Sequence, residues 1–338
     1  MTYGQIARLA GVSTATVSRV LAGSGYVSEE RAEKVLAAAQ ELHYRSNRAA
    51  RTLRRRRSDS IGLIVSDVEY PFFASAARSI EAAAAANGCA VLVCNSDEDL
   101  ARERFYFDLL VEEQVAGVIV APAIEDASVL APLIRAGIPV VTLDRRFDGD
   151  PVDSVLLDNR AAAELLVQDL VAHGHRRFAA VVGTTIATPS RERLETIEAA
   201  LETVPGSSLL IVESRLKSTV GVQHALDTVG EHVVEMMLAA DERPTAVLCA
   251  NAIMLTSVLG ALRDAGLAVP GDVAVVGFDD MPGFALFETP VTVAAQPTDE
   301  IGRTAARLLF DRIAHPELPT RSVRVAPEFH HRRSCGAS

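Results

Sequence analysis

The chain has 338 residues, 49% of them hydrophobic, with a formal net charge of −11 and no tryptophan. That length suits two or three domains, and the apolar fraction is enough for a sizeable core. No apolar run approaches the length of a membrane span, and the four cysteines (Cys89, Cys94, Cys249, Cys335) show neither a CxxC pair nor zinc-ligand spacing, so buried thiols are expected. The charge is unevenly placed. Residues 1–57 carry eleven Lys/Arg against four acidic residues, a net of +7, which leaves −18 for the remainder. A basic head on an acidic body points to a small nucleic-acid-binding module joined to a separate domain. Sparse cysteine, and an N-terminus that enters a polar amphipathic helix with no signal peptide, lead to the expectation of a cytoplasmic protein.

The first segment reads as two short helices joined by a turn. Ile6, Leu9 and Ala10 make an apolar stripe at helical spacing. Gly11 ends that helix, because glycine tolerates the left-handed backbone of a tight turn. Ser13 is placed to cap the second helix, in which Val17, Val20 and Leu21 share one face. Thr14, Ala15, Ser18 and Arg19 fall on the other face, which is small, polar and basic. A helix that lies in the major groove needs that division. Ser28 caps a third helix reaching about Leu42, with Val35, Leu36, Ala39 and Leu42 facing inward. The Ala-rich basic stretch from Asn47 to Arg54 follows, too short to be a stable helix alone. Arg54 to Arg57 is a run of four arginines that can neutralise phosphate.

From Ser60 the pattern changes to apolar strand-like runs alternating with Ala/Leu-rich amphipathic helices. Strands are expected at Ile61–Val68, Cys89–Asn95, Gly117–Ala121, Pro139–Leu143, Ser154–Leu157, Phe178–Val182, Leu209–Val212, Ala246–Ala250, Val273–Gly277 and Val323–Ala326, with a helix over Thr298–Ala314. That alternation argues for parallel sheets covered on both faces. So many strands fit two doubly wound subdomains better than one sheet, with a ligand cleft at the carboxyl ends of the strands. Asp144 and Arg145, Asn251, and Asp279 stand at such ends, and Arg193 opens a helix after Gly183. These side chains suit hydroxyl-bearing ligands: carboxylates and amides pair with hydroxyls, and arginine donates a planar fork. Phe72 and Phe73, after the first strand, offer an apolar wall, and Asn95 and Ser96 end the second strand near the same cleft. His173 and His175 lie in a helix-to-strand turn where no third ligand is expected nearby, so no metal is expected.

The run Ile6-Ala7-x-Leu9-Ala10-Gly11-Val12-Ser13-x-x-Thr16-Val17-Ser18-Arg19-Val20-Leu21, continued through Gly25-Tyr26-Val27-Ser28, Arg31, Lys34-Val35 and Leu42-x-Tyr44-x-x-Asn47, resembles the head of the lactose-repressor/galactose-repressor (LacI/GalR) family of bacterial transcription regulators. Pro71-Phe72-Phe73, Leu143-Asp144-Arg145, His173-Gly174-His175-Arg176, Arg191-Glu192-Arg193-Leu194-Glu195 and Gly277-Phe278-Asp279-Asp280 extend the resemblance over nearly the whole chain. Gln5 departs from the family's usual Asp.

The resemblance implies a helix-turn-helix domain at 1–45, a hinge helix and basic linker at 46–59, and an effector-binding and dimerisation domain at 60–338. That domain would be α/β, with two doubly wound parallel-sheet subdomains like a type I periplasmic binding protein. Thr14, Ala15, Thr16, Ser18 and Arg19 would contact DNA from the second helix. Asn47, Arg48, Ala50, Leu53 and Arg54 would do so from the hinge, with Leu53 wedged between base pairs. Phe72, Phe73, Asn95, Asp144, Arg145, Arg193, Leu216, Asn251, Asp279 and Gln296 would line the effector site.

Leu216 stands where sugar-binding members often carry a stacking aromatic, Ala252 where Asp is usual, and Thr196 where Gly is frequent. The effector need not be a common hexose bound by ring stacking, and Arg145, Arg146 and Arg193 leave a sugar phosphate or sugar acid open. The expected function is a sequence-specific transcription regulator, a repressor, acting as a homodimer on a pseudo-palindromic double-stranded operator under the control of a small carbohydrate-like effector. No cofactor, metal, catalytic residue or membrane partner is expected. The chain ends without a leucine heptad tail, so a dimer rather than a tetramer is expected. The competing reading is a solute-binding protein of a sugar transporter, which would lack the basic head. An enzyme on a doubly wound fold would need a Gly-x-Gly-x-x-Gly turn, a phosphate loop or a nucleophile elbow, and none is present.

Overall fold

A computed structural model describes residues 2–22, 25–42, 57–184, 187–214 and 221–336, with backbone alone described at 22, 221–225 and 227. The expected hinge residues Asn47, Arg48, Ala50, Leu53 and Arg54, and the effector candidate Leu216, lie outside the described residues. The chain forms two units, Met1–Ser58 and Asp59–Ser338. No described helix is long and apolar enough to cross a membrane.

The first unit holds helices α1 (Tyr3–Ala10), α2 (Thr14–Ala22) and α3 (Glu29–Glu41). Gly11 ends α1 at φ 64°, and the Ser13 hydroxyl accepts from the Thr16 N–H at 3.1 Å, as a cap does. Gln5 reaches back from the first turn of α1 and accepts from the Thr2 N–H at 2.8 Å. The residue that departs from the family's Asp therefore still satisfies a helix-end group. Ile6, Val17 and Val35 are fully buried at the centre of the three helices.

Two expectations fail here. Leu9 and Leu36 are 48% and 54% exposed, because each helix of so small a head buries one narrow stripe. The buried stripes are Ile6, Ala7 and Ala10 on α1, and Val35, Ala38 and Ala39 on α3. Leu9 and Leu36 each sit about 100° round the helix from them. Ser28 precedes α3 but makes no side-chain cap; its backbone carbonyl accepts from the Arg31 and Ala32 N–H groups instead.

The second unit is two six-stranded sheets. One has the order β11-β5-β4-β3-β1-β2, built from β1 (Ser60–Val65), β2 (Ala90–Asn95), β3 (Val118–Val120), β4 (Val140–Leu143), β5 (Asp153–Leu157) and β11 (Ser322–Val325), all parallel. The other has the order β12-β10-β9-β8-β6-β7, from β6 (Arg177–Val182), β7 (Ser208–Glu213), β8 (Ala246–Cys249), β9 (Ala274–Phe278), β10 (Thr292–Ala295) and β12 (Glu328–His330). β10 and β12 were not expected, and β12 runs antiparallel to β10. The chain passes between the sheets after β5, after β10 and between β11 and β12.

Helices cover both faces of the first sheet: α4 (Pro71–Ala86) and α11 (Thr298–Ala314) on one, α5 (Leu100–Glu112) and α6 (Ala131–Arg135) on the other. The second sheet carries α7 (Asn159–Ala172), α8 (Thr188–Glu202), α9 (Gly221–Ala239) and α10 (Ala252–Asp264). Helix approach is close at two glycines. A Cβ at Gly302 would lie 2.7 Å from the Ala76 carbonyl oxygen, and one at Gly230 would lie 2.1 Å from that of Ser257.

Beneath the first sheet's carboxyl edge, Glu103 is completely buried on α5, and its Oε2 accepts from the Ala123 N–H at 2.7 Å while Oε1 has no partner among the described residues. Burial pushes its carboxyl from an ordinary 4.5 up to about 7, against the opposing pull of that N–H and of Arg145. The folded protein thus holds this proton up to about pH 7, while the unfolded chain releases it near 4.5. The group's contribution to stability is fullest below the lower value and falls as pH rises through the upper one. Glu103→Gln, which cannot ionise, should therefore gain thermal midpoint relative to the parent protein as pH is raised from 5 to about 8. A difference between the two midpoints that does not change with pH would contradict this.

Candidate functional site

On the head, the outward face of α2 carries Thr14, Ala15 and Arg19, all exposed, with Thr16 and Ser18 half-buried beside them. The Thr16 and Ser13 hydroxyls are hydrogen-bonded at 3.0 Å, which holds the start of the helix. The Arg19 stem leans on Gly25: a Cβ there would lie 3.5 Å from Arg19 Cδ, and Gly25 adopts φ 75°. Helix α2 contains no acidic residue. Its outer face thus presents hydroxyls, methyl groups and one guanidinium, the chemistry that meets base edges and phosphates.

In the second unit, the carboxyl ends of eight strands, β7 among them through Ser214, converge on one cleft, as expected for parallel sheets. Ser66 and Asp67 follow β1, Glu98 follows β2, and Asp144 and Arg145 follow β4. From the other subdomain, Gly183 and Thr184 follow β6, Ala250 and Asn251 follow β8, Asp279 follows β9, and Gln296 follows β10. Its empty volume is about 1030 Å³, solvent at the mouth included. Phe72 and Phe73 line it from the start of α4, edge to face with centroids 5.0 Å apart, and Met254 and Ile253 line it from α10.

Eight of the residues singled out from sequence therefore meet in one place: Phe72, Phe73, Asp144, Arg145, Arg193, Asn251, Asp279 and Gln296. Asn95 does not. Its Oδ1 accepts from the Val68 N–H at 3.1 Å and its Nδ2 donates to Asp97 at 2.7 Å, so it braces the turns after β1 and β2. Ser96 is likewise buried, donating to the Val65 carbonyl at 3.1 Å. Asp97 and Glu98 both take left-handed backbone, φ 49° and 54°, and this bend brings Glu98 to the cleft, where it pairs with Arg145. Arg146 does not line the cleft either; it pairs with Asp150 at 3.0 Å. Tyr70, Glu98, Asp67, Thr184 and Ser190 were not foreseen. Tyr70 stands next to a quoted motif, whereas Glu98 sits in an acidic turn that carries no distinguishing pattern.

Arg193, 4% exposed, is the most deeply placed charge in the cleft. Its Nε donates to Asn159 Oδ1 at 2.8 Å, its Nη1 to the Ala250 carbonyl, and its Cζ lies 4.1 Å from the Phe278 ring centre. Burial lowers its pKa, while Asp279 and Asp144 oppose that shift. Asp144 and Asp279 both sit on left-handed backbone, φ 65° and 66°. Burial pushes the Asp144 carboxyl up to about 6, with Arg145 and Arg193 restraining it. Asp279 accepts from Gln296 Nε2 at 2.7 Å and from the Ala252 N–H at 3.3 Å. Asn251 caps α10 through the Met254 N–H at 2.9 Å while its amide nitrogen reaches the Tyr70 hydroxyl across the cleft at 3.4 Å.

Arg145 Nε, Arg193 Nη2 and Gln296 Oε1 are buried with no hydrogen-bond partner among the described residues. Two donors and an acceptor left bare in one cleft are a place for a polar ligand. Four carboxylates (Asp67, Glu98, Asp144, Asp279) line it against two guanidinium groups. A further negative charge is thus disfavoured, and a neutral hydroxyl-bearing molecule is matched.

A polar chain leads away from this point. Asn159 Nδ2 donates to Glu192 at 3.2 Å, and Glu192 accepts two bonds from Arg324 of β11, at 2.8 and 2.6 Å. Glu192 stands on the second subdomain and Arg324 on the first. Glu125 of the first also meets Arg191 of the second at 2.8 Å. His175, of the histidine pair, bonds Thr245 Oγ1 at 3.0 Å, and His173 has Asp169, His331 and Cys335 around it, so the expectation of no further ligand-type side chain near it does not hold.

Residues 3–47 match the family described as bacterial regulatory proteins, lacI family, and residues 167–335 match the periplasmic binding protein-like domain. The chain is 30% identical over 342 aligned positions to the "Probable HTH-type transcriptional regulator EndR" of Paenibacillus polymyxa, covering 98% of each chain. It is 30% identical over 337 positions to the HTH-type transcriptional repressor PurR of Yersinia pestis (strain Pestoides F), covering 98% of this chain and 96% of that one. Among solved structures, the Lac repressor dimer bound to operator and the anti-inducer ONPF aligns with a TM-score of 0.84 at 25% identity, over 100% of this chain and 99% of that one. A transcriptional regulator CelR–cellobiose complex aligns with a TM-score of 0.71 at 29% identity, over 99% of each. The chain belongs to the LacI family of bacterial regulatory proteins.

Proposed function

We propose that the chain is a transcriptional repressor whose affinity for operator DNA is set by a neutral, hydroxyl-bearing effector in the cleft. It acts in the cytoplasm as a homodimer on a pseudo-palindromic site and performs no catalysis. The observation that carries this reading is the cleft itself: charged and amide side chains from two subdomains face each other there with three polar atoms unsatisfied. Relatives named as transcriptional repressors, and a similar structure solved as a dimer on operator, support the DNA half. A similar regulator solved with cellobiose supports the carbohydrate half.

On DNA, Arg19 donates two bonds to a guanine edge while Thr14 and Ala15 meet neighbouring bases. Thr16, Ser18, Asn47, Arg48, Ala50, Leu53 and Arg54 complete the contact, the last five from the linker. In the cleft, a hydroxyl accepts from Arg193 Nη2 and Arg145 Nε and donates to Gln296 Oε1 or to the Asp144 and Asp279 carboxylates. An effector held by both subdomains favours one orientation of the pair over another, by the difference in its affinity for the two. Operator affinity then changes by the coupling free energy, typically about 1–3 kcal/mol.

Arg19→Ala should lose roughly 1–3 kcal/mol of discrimination between operator and scrambled duplex, with unfolding of the protein unchanged. Equal discrimination by parent and variant in a binding titration would overturn the assignment of α2. Asp279→Asn keeps a residue that tolerates left-handed backbone while removing the charge. It should bind operator as the parent does but lose its response to effector; a normal response would show that the effector does not sit where the cleft suggests.

A further inference from the structure

We propose that Asp169, His173, His331 and Cys335 form a zinc-binding site that fastens the segment after β12 to the end of α7. Each residue offers one ligand atom, and these atoms all lie within 4.8 Å of one another. His331 Nε2 is 3.3 Å from Cys335 Sγ and 3.3 Å from Asp169 Oδ1, and the His173 and His331 ring centres are 5.7 Å apart. In a tetrahedral zinc site, bonds of about 2.0–2.2 Å to N and O and 2.3 Å to S put donor atoms about 3.4–3.6 Å apart. The two His331 separations already match, while the widest separation in the group, up to 4.8 Å, has to close by about 1 Å.

The surroundings fit as well. His173 Nδ1 lies 2.7 Å from the Asp169 backbone carbonyl. That oxygen can only accept, so Nδ1 carries the proton and Nε2 the lone pair, the arrangement in which metal-binding histidines are commonly held. Phe329 stacks on His331 at 6.2 Å with 14° between the planes, which fixes that ring. Asp169 Oδ2 is buried with no partner among the described residues. Thr292 Oγ1 donates to the Arg332 carbonyl at 3.0 Å and lies 3.4 Å from Cys335 Sγ, so its one proton can turn to a thiolate only by leaving that carbonyl. The neighbouring cations are engaged elsewhere: Arg332 with Asp280 at 2.6 and 2.9 Å, and Arg333 with the Glu288 carbonyl at 2.6 Å. Cys335 is fully buried, but the His331 side chain is 47% exposed and gives the ion its way in. Binding converts the Cys335 thiol to a thiolate and releases its proton to solvent, so affinity rises with pH.

Two segments are joined in this way. One is the helix that follows the crossing from β5, the other the stretch that follows the crossing from β11 to β12. A zinc ion there fastens the end of α7 to the segment after β12 within the second subdomain.

The test uses the full chain, stripped with chelator and then titrated with Zn²⁺ against a chromogenic competitor, and with Co²⁺ as a spectroscopic probe. The expected result is one Zn²⁺ per chain, a raised thermal midpoint, and a Co²⁺ complex with a near-ultraviolet sulfur-to-metal charge-transfer band and tetrahedral visible bands. Cys335→Ser should remove the charge-transfer band, and His331→Ala, whose parent side chain is 47% exposed, should weaken Zn²⁺ by about 100-fold or more. His315→Ala, whose ring lies beside Glu317 at the end of α11 on the first subdomain, should change neither. Absence of stoichiometric Zn²⁺ binding, or binding that is unaffected by His331→Ala, would overturn the proposal.

Discussion

Arg193 carries a positive charge to a place that solvent scarcely reaches, and the cleft is arranged around keeping it there. A buried guanidinium is tolerable only with its donors engaged and with opposite charge close by. Asn159 and the Ala250 carbonyl take two of its bonds, the Phe278 ring lies under its face, and Asp144 and Asp279 supply the negative field. One nitrogen, Nη2, is left over. It faces a cleft whose other side holds the second buried arginine, Arg145, whose Nε lies 3.9 Å from Asp144 Oδ2 and has no hydrogen bond among the described residues. A ligand that satisfies both must touch both subdomains, and that requirement couples binding to their arrangement.

The same arginine is the first member of a chain of hydrogen bonds that ends on the other subdomain. Asn159 hands the contact from Arg193 to Glu192, and Glu192 holds Arg324 of β11 in a two-bond pair. Glu125 reaches Arg191 one position before Glu192 on the same helix. Helix α8 thus meets the cleft through Arg193 and the first subdomain through Glu192, held by Arg324, and Arg191, held by Glu125. A charged pair with so little exposure on the Glu192 side is geometrically exacting, and it changes partners in steps rather than by gradual stretching. This gives the effector a physical route to the subdomain arrangement that does not depend on bulk flexibility.

The parallel sheets explain why so much of the cleft was legible in the sequence. Strands that run the same way put all their carboxyl ends on one edge, so Asp144, Arg145, Asn251 and Asp279 could be assigned to a common cleft from their positions alone. Asn251 also shows why the bland reading and the functional one need not compete: its oxygen caps α10 while its nitrogen looks into the cleft. What escaped depended on backbone detail or on distant partners. Asn95 and Glu98 exchange roles because Asp97 and Glu98 turn left-handed, a choice acidic residues permit but do not announce. His173 seemed isolated because its neighbours His331 and Cys335 arrive from the far end of the chain. The acidic balance of the cleft, on which the proposal of a neutral effector rests, became visible only once Arg146 was seen paired elsewhere and Glu98 was seen inside.

The central claim is that one molecule bound between the subdomains controls the grip of the head on DNA. Fluorescence anisotropy tests it directly, with the whole protein and a duplex taken from the DNA upstream of its own coding sequence, at physiological salt, in the presence of pools of neutral sugars and polyols, of sugar phosphates, and of sugar acids. The account predicts that the neutral pool shifts operator affinity by about 5–150-fold, in either direction, while the two anionic pools leave it unchanged. An affinity that only an anionic pool shifts, or that none of them shifts, would contradict it.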